Sequence, residues 1–428
     1  MSDQKYDFMI VGSGAGGATL ARELIRQNKS VLVLEKGGYV WKMGSFQDSL
    51  RFYDANPVTK IPKKSKEGVI LWRTLMAGGS TVVSCGNATR CLETELADLG
   101  IELSLYLTEA EREMEVSLFP EDKLTTGSQK IRKAADEMGY PMKLMPKFIH
   151  LSKCKQCGQC AFGCPRGAKW TALNYLNEAR ENGLEIKFNT TVTEVLQKNG
   201  RAIGIKGIHN DREIYYYANT VILSAGGLGT PVILQKSGVK KAGQSLFMDL
   251  LINTYGITRG FNQINEPTMS LFNREDHSRR RFILSPFVNH NPLVRFIELG
   301  PRGLTLPTNR LIGLMTKTAD ESTGKIDVNG KVSKPVTDKD WKRLREGASV
   351  AMGILVEAGA NAKSILFSKV QGAHPGGTAA IGQVVDQNLQ TEMDHLFVCD
   401  ASVLPKSPGM PPILTLCALA KWLANKLI

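Results

Sequence analysis

Apolar residues first recur as an unbroken run from Tyr6 to Val11, then at helical spacing to about Asn28, then as a second run from Val31 to Leu34 that ends at Glu35. That change of period predicts a strand, a helix and a second strand, a βαβ opening. Between about Val69 and Arg90 an apolar stretch gives way to a Gly- and Ser-containing loop, Ala77-Gly78-Gly79-Ser80-Thr81. A helical stretch covers Leu107 to Val116 before a looser segment. A helix over about Trp170 to Asn182, a strand from Ile186 to Asn189 and the run Thr190 to Val195 come next. Another apolar strand, Thr220 to Leu223, runs into Ala225-Gly226-Gly227. From about 245 to 370 the pattern shortens and alternates, with Asn329-Gly330 as a hairpin signal and an amphipathic helix near Trp341 to Ala358. Glycine-rich loops from His374, a strand at Leu396 to Val398 and a helix from about Pro412 close the chain.

The first turn carries chemistry. Gly12, Gly14 and Gly17 have G-x-G-x-x-G spacing between strand and helix. The first glycine allows a tight turn, the second lets backbone approach a pyrophosphate, the third lets the helix pack on the strand, and the helix N-terminus favours the phosphate charge. Glu35 stands where a carboxylate would bind ribose hydroxyls. This fingerprint does not separate FAD from NAD.

A length of 428 residues suggests two or three domains, and 42% hydrophobic with 22% charged residues is ordinary for a soluble globular chain. The net charge of +13 reads as a solvated basic surface or a face that docks an acidic protein. Nucleic-acid binding is not expected: Arg279-Arg280-Arg281 is an isolated run without a binding module. No membrane span is expected either, because the apolar stretch Pro411 to Ala420 is stopped by Lys421. The N-terminus lacks a secretory pattern, so the expected location is the cytoplasm.

Eight cysteines stand at 85, 91, 154, 157, 160, 164, 399 and 417, four of them within eleven residues. The run Cys154-x2-Cys157-x2-Cys160-x3-Cys164-Pro165 has ferredoxin spacing, in which thiolates two residues apart wrap one face of a cubane. Zinc sites divide their ligands into spaced pairs, which this run does not. The expectation is one iron–sulfur cluster, of 4Fe–4S type, with zinc or a metal-free relict as alternatives. The fourth ligand stays open between Cys164 and either Cys85 or Cys91, or the site holds only three irons. Cys399 and Cys417 read as core residues.

Four ordered motifs resemble the glucose–methanol–choline (GMC) oxidoreductase family. They are Gly78-Gly79-Ser80-Thr81, the run Gly226-Gly227-Leu228-Gly229-Thr230-Pro231 continuing to Val239, His374-Pro375-Gly376-Gly377-Thr378, and Val398-Cys399-Asp400-Ala401-Ser402-Val403-Leu404-Pro405. The resemblance runs the whole length. It implies an α/β fold with a discontinuous Rossmann-like FAD-binding domain and an α+β substrate domain on an antiparallel sheet, here with an iron–sulfur loop inserted. The expected parts are 1–149, 171–244 and 373–428 for FAD, 150–170 for the cluster and 245–372 for substrate. Residue by residue, it implies Gly78, Gly79 and Ser80 along the pyrophosphate and flavin, Val192 at the adenine, Asp400 at the ribityl chain and Pro412 beside the cofactor. No second nucleotide fingerprint points to NAD(P), and no cysteine pair follows the glycine motif as in disulfide reductases.

The resemblance makes His374 the catalytic base, whose neutral imidazole would take an alcohol's proton while hydride leaves the carbon. Relatives carry a second Asn or His in N-P-x-x-T, where this chain reads Pro411-Pro412-Ile413-Leu414-Thr415. Asn289, His290 or Asn291 could supply the missing polar group, or form only a turn. The expected activity is oxidation of an alcohol carbon to a carbonyl. Electrons would pass through the cluster to an acidic one-electron carrier such as ferredoxin, docked over the basic residues Lys153, Lys155, Arg166 and Lys169 that flank the cysteine run, and not to oxygen. The alternatives are a ferredoxin-fed reductase of a C=C or carbonyl substrate and an electron-transfer subunit of a larger complex.

Overall fold

A computed structural model describes residues 5–275 and 277–428. The opening runs form neighbouring parallel strands, Lys5–Val11 and Val31–Leu34, joined by the helix Ala15–Arg26. Both strands are buried on both faces, which is why they read as continuous apolar runs. Among the described residues they belong to a seven-stranded sheet in the order Glu185–Lys187, Val31–Leu34, Lys5–Val11, Arg212–Leu223, Arg201–His209, Thr190–Lys198, with Leu396–Val398 also on Arg212–Leu223. The strand Arg212–Leu223 serves two neighbours: its first half pairs antiparallel with Arg201–His209, its second half parallel with Lys5–Val11. Two-residue turns at Asn199-Gly200 and Asn210-Asp211 close the antiparallel ribbon with all four residues at positive φ, the geometry that matches strand twist.

The helix Ala15–Arg26 is fixed by a buried ion cluster. Arg22 lies 3.5 Å over the Tyr175 ring and pairs with Glu23 at 2.5 Å and with Glu113. Lys421, from the closing helix Ile413–Leu427, joins Glu23, Glu109 and Glu113, each at 3.1 Å. Burial pushes Glu113 up, but bonds from Arg22 and Tyr175 outweigh it and hold the carboxyl at about 2.

The alternating region forms a second, six-stranded sheet around Phe282–Pro286, Leu311–Thr318 and Leu250–Ile257, edged by Gln371–Gly372 and Ile70–Leu71. Its two faces have separate tasks. Phe282, Leu284, Ile312 and Leu314 pack on Ala351, Ile354 and Leu355 of the helix Asp338–Glu357. The alternate positions Leu251, Asn253, Met315 and Lys317 face a cavity. The Asn329-Gly330 signal falls in a turn between paired strands Lys325–Ile326 and Val332–Ser333. Helices that the hydrophobic pattern does not announce include Thr126–Glu137, begun by the Thr125 cap, Gly226–Lys236, and Pro292–Leu299, begun by the Asn291 cap. No helix of the described residues is long and apolar enough to cross a membrane.

Candidate active site

Residues of both sheets line one cavity of about 680 Å³. At one end are the glycines of the first turn. A Cβ on Gly12, which has φ +102°, would stand 2.3 Å from Ser224 O, and one on Gly17 2.0 Å from Gly12 O, so these two serve close packing. Gly14 differs: a Cβ there would meet no protein atom within 4 Å, and the residue lines the cavity. The helix Ala15–Arg26 begins at this point with no side-chain cap. Its first N–H groups are the donors that bind phosphate at helix N-termini.

Glu35 joins the parts of this end. Its carboxylate accepts from Ser13 N at 3.0 Å, Ser13 Oγ at 2.6 Å and Gly37 N at 2.7 Å, while burial raises its pKa against these bonds. Ser13 Oγ also accepts from Gly78 N at 3.1 Å. Gly79 lies against Gly14, its notional Cβ 3.1 Å from Gly14 Cα. The two glycine loops are thus one surface. Ser80, Val192 and Asp400 line the same cavity, Val192 at a β-bulge in the edge strand of its sheet. Asp400 accepts from Gly226 N at 2.8 Å, Thr230 Oγ1 at 2.5 Å and Ser402 N at 2.7 Å, and burial raises its pKa. Pro411 and Pro412 complete the wall where the closing helix begins. An open phosphate approach, uncapped helix N–H groups and a buried carboxylate on the next strand together fit a dinucleotide.

The other end holds His374. Its Nδ1 lies 2.8 Å from Asp249 Oδ2, and Asp249 is fully buried. A carboxylate can only accept, so Nδ1 donates and Nε2 keeps its lone pair. Asp249 is itself fixed by Ser407 Oγ at 2.6 Å and Gly409 N at 2.8 Å. Burial and then the charge of Lys317 lower the imidazole pKa, against the Asp249 bond, which favours the neutral base. Asp249, Lys317 and Ser13 were not singled out by the sequence. The available signals were a lone acid ahead of the apolar run Leu250–Ile252 and a lone lysine inside Leu311–Thr318.

Of the three polar candidates at 289–291, only Asn289 lines the cavity, and its amide is spent on Glu298 at 2.7 Å. His290 is instead packed beside Gly158 of the cysteine loop, with burial, then Arg295, lowering its pKa to about 4. Asn291 caps the helix Pro292–Leu299.

The cysteine run lies beside this cavity, since Ala161 and Phe162 line it and Tyr53 OH donates to Ala161 O at 2.7 Å. Among the described residues no group of three or more His, Cys, Asp or Glu side chains is arranged to hold a metal ion, and the iron–sulfur insertion expected at 150–170 is not shown. Thiolates of a cubane bind different irons and stand farther apart than those of a one-ion site. Burial raises the thiol pKa of Cys154, and raises that of Cys160 to about 12. Cys91 instead contacts Thr415 at 3.2 Å. Cys399 and Cys417 are core residues. The basic surface expected around the run needs one correction. Lys153, Lys155 and Arg166 are exposed, but Lys169 is buried, its ammonium bonded to the carbonyls of Val82, Ser84 and Cys160. Lys147 is also buried, bonded to Cys85 O, Asn87 Oδ1 and Thr268 O. Neither has a carboxylate ion-pair partner among the described residues, and burial lowers both ammonium pKa values, that of Lys147 to about 8. Through Cys160 O and Cys85 O the two ammoniums lie against the backbone of these cysteines.

The GMC oxidoreductase family models match residues 6–251 and 317–420. This chain belongs to the GMC oxidoreductase family, and FAD is the cofactor that membership supports. It is 30% identical over 99% of its length to an uncharacterized protein of Methanocaldococcus jannaschii, which is covered completely. It is 23% identical to a long-chain-alcohol oxidase of Arabidopsis thaliana over 99% of this chain and 68% of that protein. Among solved structures, pyridoxine 4-oxidase from Mesorbium loti has TM-score 0.75 at 16% identity, covering 99% of each chain. Formate oxidase from Aspergillus oryzae RIB40 has TM-score 0.75 at 15% identity, covering 100% of this chain and 99% of that one. At such identities the structures speak for the fold alone.

Proposed function

We propose that this protein is an FAD-dependent dehydrogenase that oxidises an alcohol carbon to a carbonyl, with His374 as general base. The observation that carries the reading is that His374, held by the buried Asp249, lines the same cavity as the glycine turn and Glu35. FAD would be held by Gly14, Glu35, Gly79, Ser80, Val192, Asp400 and Pro412, on loops that Gly12, Gly17 and Gly78 shape. When bound, it supplies the two-electron acceptor for hydride from the alcohol carbon. Asp249 holds the imidazole in the tautomer whose Nε2 can accept the hydroxyl proton. Apolar walls from Leu251, Met269, Phe287 and Met315 keep water from the proton acceptor.

Cys154, Cys157, Cys160 and Cys164 would hold an iron–sulfur cluster, with Cys85 as the neighbour able to replace Cys164. A cluster there supplies one-electron transfer, which suits an acidic protein carrier in the cytoplasm better than oxygen as acceptor. Lys153, Lys155 and Arg166 would attract that carrier. A second reading, reduction of a C=C or carbonyl substrate, is favoured by one feature: Pro411 offers the substrate oxygen no side-chain donor. Iron and flavin content per chain, followed by anaerobic mixing with primary alcohols and with enones, tests both. Alcohols that bleach the flavin support the dehydrogenase. Enones that reoxidise reduced flavin, with no alcohol active, support the reductase. Zinc in place of iron removes the cluster.

A further inference from the structure

Five lysines are buried among the described residues, and four of them are engaged. Lys147 and Lys169 are each satisfied by three oxygens. Lys334 pairs with Asp320 at 3.0 Å, and Lys421 meets three glutamates. Lys317 is the exception. It is 3% exposed and lines the cavity, yet among the described residues no hydrogen bond or ion pair ends on its ammonium. The carboxylate that attracts it most, Asp249, already accepts from His374, Ser407 and Gly409.

Strand register puts Lys317 there. It stands opposite Leu251 on one neighbouring strand, with Met315 and Asn253 as the next pair on the same face. Burying an ammonium without a partner is unfavourable unless a ligand supplies the missing acceptor. Lys317 is near enough to His374 for its charge to act on the imidazole, and Pro411 on the same cavity wall has no side-chain donor. An ammonium among Leu251, Met269, Phe287 and Met315 acts in a medium of low polarity, where a preorganised charge stabilises an oxyanion most.

We propose that Lys317 is the second group gripping the substrate's reacting oxygen, in the role that Pro411 cannot fill. The proposal rests on the dehydrogenase reading and gives it a chemical division of labour. The O–H bond breaks, its proton goes to Nε2 of His374, and its electron pair rests on oxygen against the Lys317 ammonium until the C–H bond breaks, its pair leaving as hydride, and the oxygen pair forms the C=O bond. The hydride acceptor is the flavin of that reading. A small anion with one exposed oxygen edge is therefore a better ligand than its neutral isostere.

Equilibrium dialysis of labelled acetate and acetamide against the FAD-loaded protein at pH 8 tests this without a known substrate. The wild type binds acetate at least about tenfold more tightly than acetamide. Lys317→Met loses that preference and keeps its acetamide affinity, whereas Lys317→Arg retains most of it. Equal binding of the two ligands by wild type overturns the proposal even if the variants fail to fold, as does unchanged acetate preference in a folded Lys317→Met. Alcohols that fail to bleach the flavin while acetate still depends on Lys317 would sink the dehydrogenase reading and leave the anion grip standing.

Discussion

The two ends of the cavity are built by different means. The nucleotide end is mostly backbone: Gly12, Gly14 and Gly17 lie within one turn, and Glu35 reaches them through Ser13 and Gly37. The substrate end is made of side chains from distant segments, with Asp249, Lys317 and His374 brought together by a sheet and a loop. A backbone site depends on where a Cβ can be absent. A side-chain site depends on register, since a one-residue slip of Leu311–Thr318 would turn Lys317 into the helix-covered core. The ends should therefore fail separately.

The largest expected effect lies at the substrate end. His374→Ala should slow flavin reduction by about two to four decades, the usual size of a general-base loss, with FAD content unchanged. Loss of FAD in this variant would break the separation. The pH profile sharpens it. Because burial and Lys317 lower the His374 pKa, the acid limb of flavin reduction should fall below the ordinary histidine value of 6.5, and Lys317→Met should move it upward.

Next in size is the scaffold under the nucleotide end. Arg22→Met leaves Glu113 and Glu23 short of their buried partner and should cost about 3–5 kcal/mol in denaturant unfolding. The Glu113 pKa is depressed in the fold, so its contribution is fully present above 4.5 and is lost as pH falls toward about 2. Stability of Glu113→Gln should accordingly lack that part of the acid dependence.

Gly14→Val comes third. Its side chain meets no protein atom near Cβ but enters the phosphate approach, so the apoprotein should keep its melting temperature. FAD affinity should fall by about one to two decades, the 1–3 kcal/mol of a steric intrusion. A melting loss equal to that of Gly12→Val would remove the contrast between packing and cofactor-facing glycines.

The smallest effect belongs to the exposed lysines. Lys153→Glu with Lys155→Glu should slow reduction of an acidic carrier about tenfold at low salt and leave flavin reduction by substrate untouched. A rate indifferent to salt would make these residues merely solvated.

The same contrast explains what the sequence revealed. The nucleotide end was legible because its spacing is local: strand, glycines, helix and acid fall within residues 5–35 and appear where the period predicts. His374 needed a family resemblance, since one histidine in a glycine loop carries no geometry. Asp249 and Lys317 stayed hidden because their meaning is the pairing of strands sixty residues apart. Lys169 was misread for a related reason: a lysine in a loop looks solvated until three carbonyls are seen to turn inward around it. The helix Thr126–Glu137 went unread because its apolar face is only Ile131, Ala134 and Ala135.

A crystal structure of the FAD-loaded protein tests the joining of the two ends most directly. The expected result is the pyrophosphate over Gly14 and the first N–H groups of the helix Ala15–Arg26, the ribose at Glu35, and the flavin ring with N5 turned toward Nε2 of His374. A flavin ring lying away from His374, or a ligand that leaves Glu35 without contact, would contradict it.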